Sequence, residues 1–432
     1  MLLPPNLADW LPDEHLARFV IGVVDELDLD PIYAAYRADG HGHPAHDPGM
    51  MTALLLYNYA VGVRSSRTIE RRCIEDVACR VIAANRAPDH ATIARFRARH
   101  EGALSALFYE VLALCRAAGM VSVGTVAVDS TALAADASLG ANRTSDALRA
   151  EAQRVLAEAA ETDAREDELY GQRRGDELPA ELADPATRKA RIKELLERAR
   201  AQAEEIEADR AEKQARHAEH KAKTGSKLKG RPPADQPSKK QRKALAETKY
   251  NLTDPDSAVV RHRGMLLQGY KMQTAVSEQQ IILAARASGA SNDHGQLTPT
   301  LDQAQHSIER TGRGDPIEQV LADGGYWHAQ QISELQRCGM RVLVPPSKRK
   351  RLGPETMQSE ARAMRAVLQT DEGREAYQRR QQIAEPVFAH IKHHRGIVRL
   401  LRRGLDAVQA EVDLIATTHN LLKLYRHRLQ TA

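Results

Sequence analysis

Three acidic residues lie far apart in the sequence and share a setting that suits metal-dependent chemistry. Asp129 directly follows the valine-rich run 121–128, which predicts a buried strand. Asp323 follows the short apolar run 320–322 in the same way, and Glu385 supplies a third acid later in the chain. A carboxylate at the carboxyl end of a central strand is well placed to hold a metal ion.

The chemistry that such a set of acids can perform is phosphoryl transfer with two metal ions. Three ionised carboxylates repel one another unless cations lie between them. Two Mg²⁺ ions about 3.5–4 Å apart would neutralise the acids and clamp the attacking and leaving oxygens of a phosphodiester. Mg²⁺ suits the site because it binds few carboxylates and keeps water molecules that a substrate can displace. We expect Mn²⁺ to substitute for it.

The motifs around these acids resemble those of a known family. Val-Asp-Ser-Thr at 128–131, Ala-Asp-Gly-Gly-Tyr at 322–326 and the series Tyr377, Arg380, Glu385, Lys392 are similar to motifs of the DDE transposases of bacterial insertion sequences. The resemblance spans nearly the whole chain, and the order of the motifs is more specific than any one of them. One departure is that the gap between Arg380 and Glu385 is one residue longer than in the commonest form of the signature.

The resemblance implies an α/β ribonuclease-H-like catalytic domain, with a mixed sheet flanked by helices, and an all-α amino-terminal domain. It implies that Asp129, Asp323 and Glu385 are catalytic and hold two Mg²⁺ ions. The implied substrate is double-stranded DNA, both transposon ends and target, and a synaptic complex implies a homodimer. Arg380 and Lys392 would pair with DNA phosphates. Pro386 leaves two alternatives, a helix that runs through Glu385 or one that begins at Pro386.

Composition limits the class of protein without identifying it. A chain of 432 residues exceeds one ordinary core, so two or three domains are expected. The net charge of +4 does not by itself indicate a nucleic-acid partner. Four cysteines without a Cys-x-x-Cys pair favour reduced thiols. Without a signal peptide or a long apolar run, the sequence predicts a cytoplasmic protein with no membrane segment.

The amino-terminal region, 1–118, is predicted to be a helical DNA-binding domain. Segment 65–100 has the pattern of a helix-turn-helix unit, with one helix continuing to Ala84 and a second starting after the N-cap candidate Asp89. Its second helix carries three arginines that could contact phosphates or guanine edges, or could form a solvated face: Arg95, Arg97 and Arg99.

Residues 145–249 are predicted to be an insertion into a catalytic domain formed by 119–144 and 250–428. Their first part is rich in Ala, Glu, Arg and Lys, and prolines at 179 and 185 predict two or more helices. The segment 221–243 is a basic, Gly- and Pro-rich linker, in which Lys227 and Lys229 are candidate contacts to the DNA backbone.

The rest of the catalytic region predicts an antiparallel hairpin over 269–287, a helix from 291 to 308, and strands at 317–322 and 341–345. Asp293 lies near the expected site and is either the N-cap of that helix or a further catalytic residue. Tyr326 and Trp327 could stack on a base near the cleaved end or pack against a neighbouring helix. The basic stretch 390–403 favours a strip that faces DNA, with a salt-bridged surface as the alternative.

Two other functions fit the same residues. The chain could be a non-catalytic DNA-binding protein derived from a transposase, using 65–100 and the basic linker. It could also be a metal-dependent nuclease or phosphatase with the same acids at the ends of its strands. Metal-dependent cleavage of terminal repeats and joining to target DNA would separate the three.

Overall fold

The computed structural model divides the chain into two compact units, Met1–Asp136 with Val259–Ala432, and Ala137–Ala258. The described residues are 6–36, 45–144, 146–148, 150, 185–224, 248–262, 264–312, 314–346 and 355–431. Among them, no helix is both long and apolar enough to cross a lipid bilayer.

Seven α-helices form the amino-terminal part of the first unit, after a short 3-10 helix at Leu7–Trp10. They are α1 (Leu16–Glu26), α2 (Asp30–Tyr33), α3 (Pro48–Ala60), α4 (Ser66–Glu75), α5 (Val77–Ile82), α6 (His90–Arg99) and α7 (Glu101–Ala117). Nearly every side chain of α3 is buried, so α3 forms the centre of this region.

The predicted helix-turn-helix unit contains one more helix than expected. Ser65 caps α4 and Asp89 caps α6, as the sequence indicates. The prediction of one helix continuing to Ala84 is wrong, because Asp76 is extended and accepts a hydrogen bond from the Cys79 amide. Its side chain therefore ends α4 and starts α5.

A six-stranded mixed sheet forms the centre of the first unit. Its strands are β1 (Thr125–Ala134), β4 (Ala258–His262), β5 (Met265–Ser277), β6 (Ile282–Ser288), β7 (Gln319–Ala322) and β8 (Arg341–Leu343). The order is β4-β5-β1-β7-β8, and β6 pairs with β5. β5 and β6 form the predicted antiparallel hairpin, β1 is antiparallel to β5, and β1, β7 and β8 run parallel.

The register of the parallel pair brings Asp129 and Asp323 to neighbouring positions. The prediction that Asp129 ends its strand is wrong, because β1 begins at Thr125 and continues to Ala134, whereas Asp323 directly follows β7. Val128 of β1 pairs with Ala322 of β7. Asp129 and Asp323 are the next residues along the two strands, so both lie where the parallel pairing of β1 and β7 ends. The β-branched and apolar residues before them are buried on both faces of the sheet, which explains why the sequence pattern predicted these strands.

Five helices of the first unit follow the sheet strands: α9 (Leu297–Arg310), α10 (Ala329–Arg337), α11 (Glu355–Gln369), α12 (Asp371–Ala389) and α13 (Leu405–Thr431). α9 begins at Leu297 after Gln296, so the prediction of a helix from 291 is wrong. α12 continues through Pro386, which rules out a helix beginning there, and a π-helix at His390–His394 follows it.

The second unit contains a long helix and a small ribbon. α8 (Pro185–Thr224) begins at Pro185, a residue suited to a first helical turn. β2 (Asn142–Thr144) pairs antiparallel with β3 (Lys249–Asn251). Of the predicted insertion, 151–184 lie outside the described residues, and so do Lys227 and Lys229 of the basic linker.

Candidate active site

Asp129 forms an ion pair with a residue that is distant in sequence. Arg380, on α12, donates a hydrogen bond from Nη1 to the Asp129 Oδ2 atom at 2.7 Å. Both side chains are largely buried, at 12% exposure for Arg380 and 15% for Asp129. A charge-assisted bond in a site with little water is stronger than the same bond at a surface. Arg380 therefore serves as the counter-ion of Asp129 in this structure.

Arg380 does not fully compensate for the burial of Asp129. Burial raises the pKa of the Asp129 carboxyl group to about 6, against the opposing effects of Arg380 and the Ser130 amide. Repulsion from Asp323 and Asp293 raises this pKa further. Three carboxylates are thus close enough to influence one another, which is the electrostatic setting expected for a cation site.

Asp323 lies at the start of a tight turn. Its Oδ1 atom accepts a hydrogen bond from the Gly325 amide at 2.8 Å, at the start of the 3-10 helix Gly324–Tyr326. A Cβ atom on Gly325 would lie 2.9 Å from Asp323 Oδ1 and 3.4 Å from Asp293 Oδ2. The absence of a side chain at Gly325 therefore lets this backbone pass between two acids.

Asp293 accepts hydrogen bonds from the central strands and is not an N-cap. Its Oδ1 atom accepts from Ser130 Oγ at 2.7 Å and from Gln273 Nε2 at 2.8 Å. Its Oδ2 atom accepts from Lys271 Nζ at 2.5 Å. The sequence argument did not identify Lys271 and Gln273. Their signal is two long polar side chains, spaced by two and therefore on the same face of β5.

Tyr326 is fully buried, so the prediction that it stacks on a base is wrong for this conformation. Its hydroxyl donates a hydrogen bond to Gln273 Oε1, which satisfies the one polar atom of the buried ring. Trp327 is half-buried and lines a cavity of about 290 Å³ together with residues of α10, β8 and α11. Base stacking by Trp327 stays a prediction.

α12 presents Arg380 to the site and Glu385 to solvent. The Arg380 guanidinium lies 5.9 Å from the centre of the Tyr377 ring, so the two residues share the face towards the sheet. Glu385 is exposed on the same helix. Lys392, beyond the end of α12, donates a hydrogen bond from Nζ to the Ala132 carbonyl of β1 at 2.6 Å.

The carboxylates of Asp129 and Asp323 suit a divalent cation, whereas Glu385 does not form a group of three ligands with them in this structure. Carboxylate oxygens are the ligands that Mg²⁺ and Mn²⁺ prefer, and the charge of Asp129 is only partly balanced. Within the described part of the chain, no group of three or more His, Cys, Asp or Glu side chains is arranged to hold a metal ion.

The arginines proposed to bind DNA have different surroundings. Arg97 donates hydrogen bonds to the Tyr59 hydroxyl at 3.1 Å and to the Arg64 carbonyl at 3.0 Å, so it holds helices together. Arg99 bonds to the Ala35 carbonyl and lies over the Tyr36 ring. Arg95 is exposed and bonds to Thr92 of its own helix, at 3.2 Å.

The basic stretch 390–403 also differs from the expected DNA-facing strip. Arg395 is buried and donates to the Ile415 carbonyl, the Tyr59 carbonyl and Thr418 Oγ1. Burial lowers the pKa of Arg395 to about 9. Arg402 pairs with Glu101 and Arg403 with Asp136. Much of this stretch therefore stabilises the fold.

Comparison with known families yields two matches. A family described as Transposase domain (DUF772) matches residues 5–99, and one described as Transposase DDE domain matches residues 334–425. Both matches are to transposase domain families, one at each end of the chain. This confirms the resemblance to insertion-sequence transposases. No curated protein and no solved structure matches the chain.

The transposase matches cover the two ends of the first unit. The DDE transposase match contains Arg380, Glu385 and Lys392, whereas Asp129 and Asp323 lie outside both matched ranges. The structure is therefore the independent source for the placement of the two aspartates, since it puts Asp129 within β1 and Asp323 directly after β7, its parallel neighbour.

Proposed function

We propose that the protein is an insertion-sequence transposase that binds terminal inverted repeats and performs metal-dependent hydrolysis and strand transfer with Asp129, Asp323 and Glu385. The observation that supports this most directly is the register of β1 and β7, in which Asp129 and Asp323 directly follow the paired residues Val128 and Ala322. Burial is the main cause of the raised pKa of Asp129, and the added repulsion from Asp323 supports a shared cation. The ribonuclease-H-like fold is part of the same proposal.

Asp129 and Asp323 would hold the divalent cations, with Glu385 as the third acid. Bound divalent cations supply Lewis-acid stabilisation of the attacking and leaving oxygens of the phosphodiester. The position of Lys392 supports a role for this end of α12, because its ammonium group bonds to the β1 backbone three residues beyond Asp129.

Arg380 would serve two partners in turn. It pairs with Asp129 in this structure, and a bound cation would take over the neutralisation of that carboxylate. The guanidinium would then be available to a DNA phosphate, for which its planar donor set is well suited.

DNA binding by the remaining residues is also proposed. Among the arginines of α6, exposed Arg95 has the surroundings that best fit a phosphate contact. Lys227 and Lys229 would add sequence-independent, salt-sensitive contacts. A homodimer that holds two transposon ends is the expected assembly.

The decisive experiment compares Asp129→Asn with wild type and with the matched control Asp302→Asn, an exposed acid on α9. We expect Asp129→Asn to lower strand cleavage at least about a thousandfold, because a metal ligand supplies several kcal/mol of transition-state stabilisation. Binding to the terminal repeats should persist in both variants. Cleavage is measured on labelled end fragments with Mg²⁺, and binding by gel shift.

The same assay separates the alternatives. Full cleavage activity in Asp129→Asn would contradict the assignment of this carboxylate. Hydrolysis without joining to target DNA would indicate a nuclease. Repeat binding by the wild-type protein without any metal-dependent cleavage would indicate a DNA-binding protein derived from a transposase.

A further inference from the structure

Asp293 connects β1, the strand that contains Asp129, to its antiparallel neighbour β5. On one side it accepts a hydrogen bond from the hydroxyl of Ser130, the residue directly after Asp129 on β1. On the other it accepts from Lys271 and Gln273 of β5, which is the antiparallel neighbour of β1. One carboxylate therefore fixes the backbone beside Asp129 at the point where the parallel pairing with β7 ends.

The same group of bonds extends to the turn that carries Asp323. Gln273 uses its amide nitrogen for Asp293 and its amide oxygen to accept from the Tyr326 hydroxyl. The Tyr326 amide in turn donates to the Asp323 carbonyl at 3.1 Å. A continuous chain of hydrogen bonds thus runs from Ser130 through Asp293, Gln273 and Tyr326 to the backbone of Asp323.

The bonds to Asp293 leave its carboxylate poorly suited to hold a metal ion. Lys271 and Asp293 are 14% and 12% exposed, so the pair is screened from water. Loss of one partner would leave a buried charge without its counter-ion, whereas loss of both would not. Both carboxylate oxygens of Asp293 already accept hydrogen bonds, one from Lys271 and the other from Ser130 and Gln273.

We propose that Asp293 is a positioning residue, which holds Asp129 and Asp323 at the separation that a shared divalent cation requires. This inference rests on the proposed function, because it concerns the geometry of the same cation site. Residues that orient metal ligands without touching the metal typically change metal affinity by about 10- to 100-fold when they are replaced. Asp293 would act in this way on both aspartates at once.

The test is the affinity of the full chain for Mn²⁺, measured by calorimetry without DNA. We expect Asp293→Asn to weaken Mn²⁺ binding at least about tenfold, because an amide facing Lys271 brings two donors together and pulls Ser130 and Gln273 out of place. Lys271→Gln combined with Asp293→Asn should recover most of the affinity. In that double variant the Asn amide can donate to the Gln carbonyl while its oxygen accepts from Ser130.

Two further variants keep the test decisive. Asp302→Asn is the control, since it removes an exposed carboxylate from the same part of the chain and should leave Mn²⁺ affinity unchanged. Ser130→Ala removes one small hydroxyl and should weaken Mn²⁺ binding severalfold even if Asp293→Asn does not fold. Thermal unfolding of each protein separates a lost site from a lost fold.

The outcomes distinguish this inference from the function on which it rests. Equal Mn²⁺ affinity in Asp293→Asn, Ser130→Ala and Asp302→Asn would overturn the positioning role and leave the transposase proposal standing. Loss of Mn²⁺ binding as complete as in Asp129→Asn, with no recovery in the double variant, would make Asp293 a ligand and also overturn it. A wild-type chain that binds no Mn²⁺, with or without terminal-repeat DNA, would remove both proposals.

Discussion

Arg380 and Asp129 are 251 residues apart in sequence and form a 2.7 Å ion pair at the edge of the central sheet. The guanidinium lies beside the carboxylate that is proposed to bind a cation. A positive side chain and a metal ion compete for the same carboxylate, so the resting site contains its own competitor.

Replacement of Arg380 should strengthen metal binding. We expect Arg380→Gln to bind Mn²⁺ severalfold more tightly than wild type at pH 8 without DNA, because the competing charge is gone. Binding to terminal-repeat DNA should weaken in the same variant. Arg379→Gln is the matched control, since Arg379 is the neighbouring residue and pairs with Glu278, away from the acids. Equal Mn²⁺ affinities for the two variants would show that Arg380 does not compete.

The raised pKa of Asp129 predicts a pH-dependent metal affinity. With a pKa of about 6, only about one Asp129 in ten is ionised at pH 5. Because the cation needs the ionised form, we expect Mn²⁺ to bind about tenfold more weakly at pH 5 than at pH 7.5. Calorimetry at the two pH values checks this, and an affinity that does not change would contradict the raised pKa.

The raised pKa of Asp129 also predicts how the stability of the metal-free protein depends on pH. As the pH falls, stability should rise, whereas metal affinity should fall. The folded protein takes up the Asp129 proton near pH 6, whereas the unfolded chain takes it up near pH 4. The contribution of Asp129 to the free energy of unfolding therefore increases as the pH falls from 6 to 4. The Asp129→Asn protein should lack this pH-dependent part of the free energy of unfolding. Asp413, whose pKa is raised to about 7 by burial, provides a similar component in both proteins and cancels in the comparison.

A buried ion pair joins the amino-terminal helices to the last helix. Arg64 pairs with Glu411 of α13, and Glu411 also accepts from the amides of Leu401 and Arg402. We expect Glu411→Gln to lower the free energy of unfolding by about 3–5 kcal/mol, because Arg64 would remain buried without its counter-ion. Denaturant unfolding measures this. Arg374→Gln, which breaks the exposed pair with Asp371, should cost less than about 1 kcal/mol.

Gly62 occupies a position that no other residue fits. Its φ is +85°, and a Cβ atom there would lie 2.1 Å from the Arg395 carbonyl oxygen. We expect Gly62→Ala to destabilise the protein by at least about 2 kcal/mol, since backbone strain and a backbone clash combine.

Gly22→Ala is the internal control for Gly62→Ala. Gly22 lies inside α1 with open space around its Cα, so alanine should raise the stability by about 0.5–1 kcal/mol. The two substitutions are chemically identical, and thermal unfolding should show opposite signs. Equal destabilisation would mean that the contact between Gly62 and Arg395 is not a constraint.

Local patterns predicted the elements that carry the acids. The apolar residues directly before Asp129 and Asp323 lie in strands, although β1 begins only at Thr125 and continues past Asp129 to Ala134. The 269–287 segment forms the hairpin of β5 and β6. These predictions succeeded because burial on both faces imposes a pattern that does not depend on distant partners.

The surroundings of individual charged residues could not be predicted in this way. Arg97 and Arg395 have the same sequence signal as DNA-binding arginines, yet their guanidinium groups bond to carbonyls inside the fold. Asp293 has the signal of an N-cap, and its partners Lys271 and Gln273 become visible only once β5 is placed beside β1. Tertiary packing determines such partners, and residue type and spacing do not predict tertiary packing.

The two transposase matches lie at opposite ends of the chain, and the fold packs them together through a shared interior. Tyr425 of α13 packs on Phe19 of α1 and bonds to the Glu14 carbonyl at 2.6 Å, while Asn420 holds both backbone groups of Ile282 in the sheet. During synthesis, the first hundred residues leave the ribosome long before their partner helix exists. A chain truncated before α13 would lack the contacts to Phe19 and Ile282, so we expect it to be less stable than the full chain.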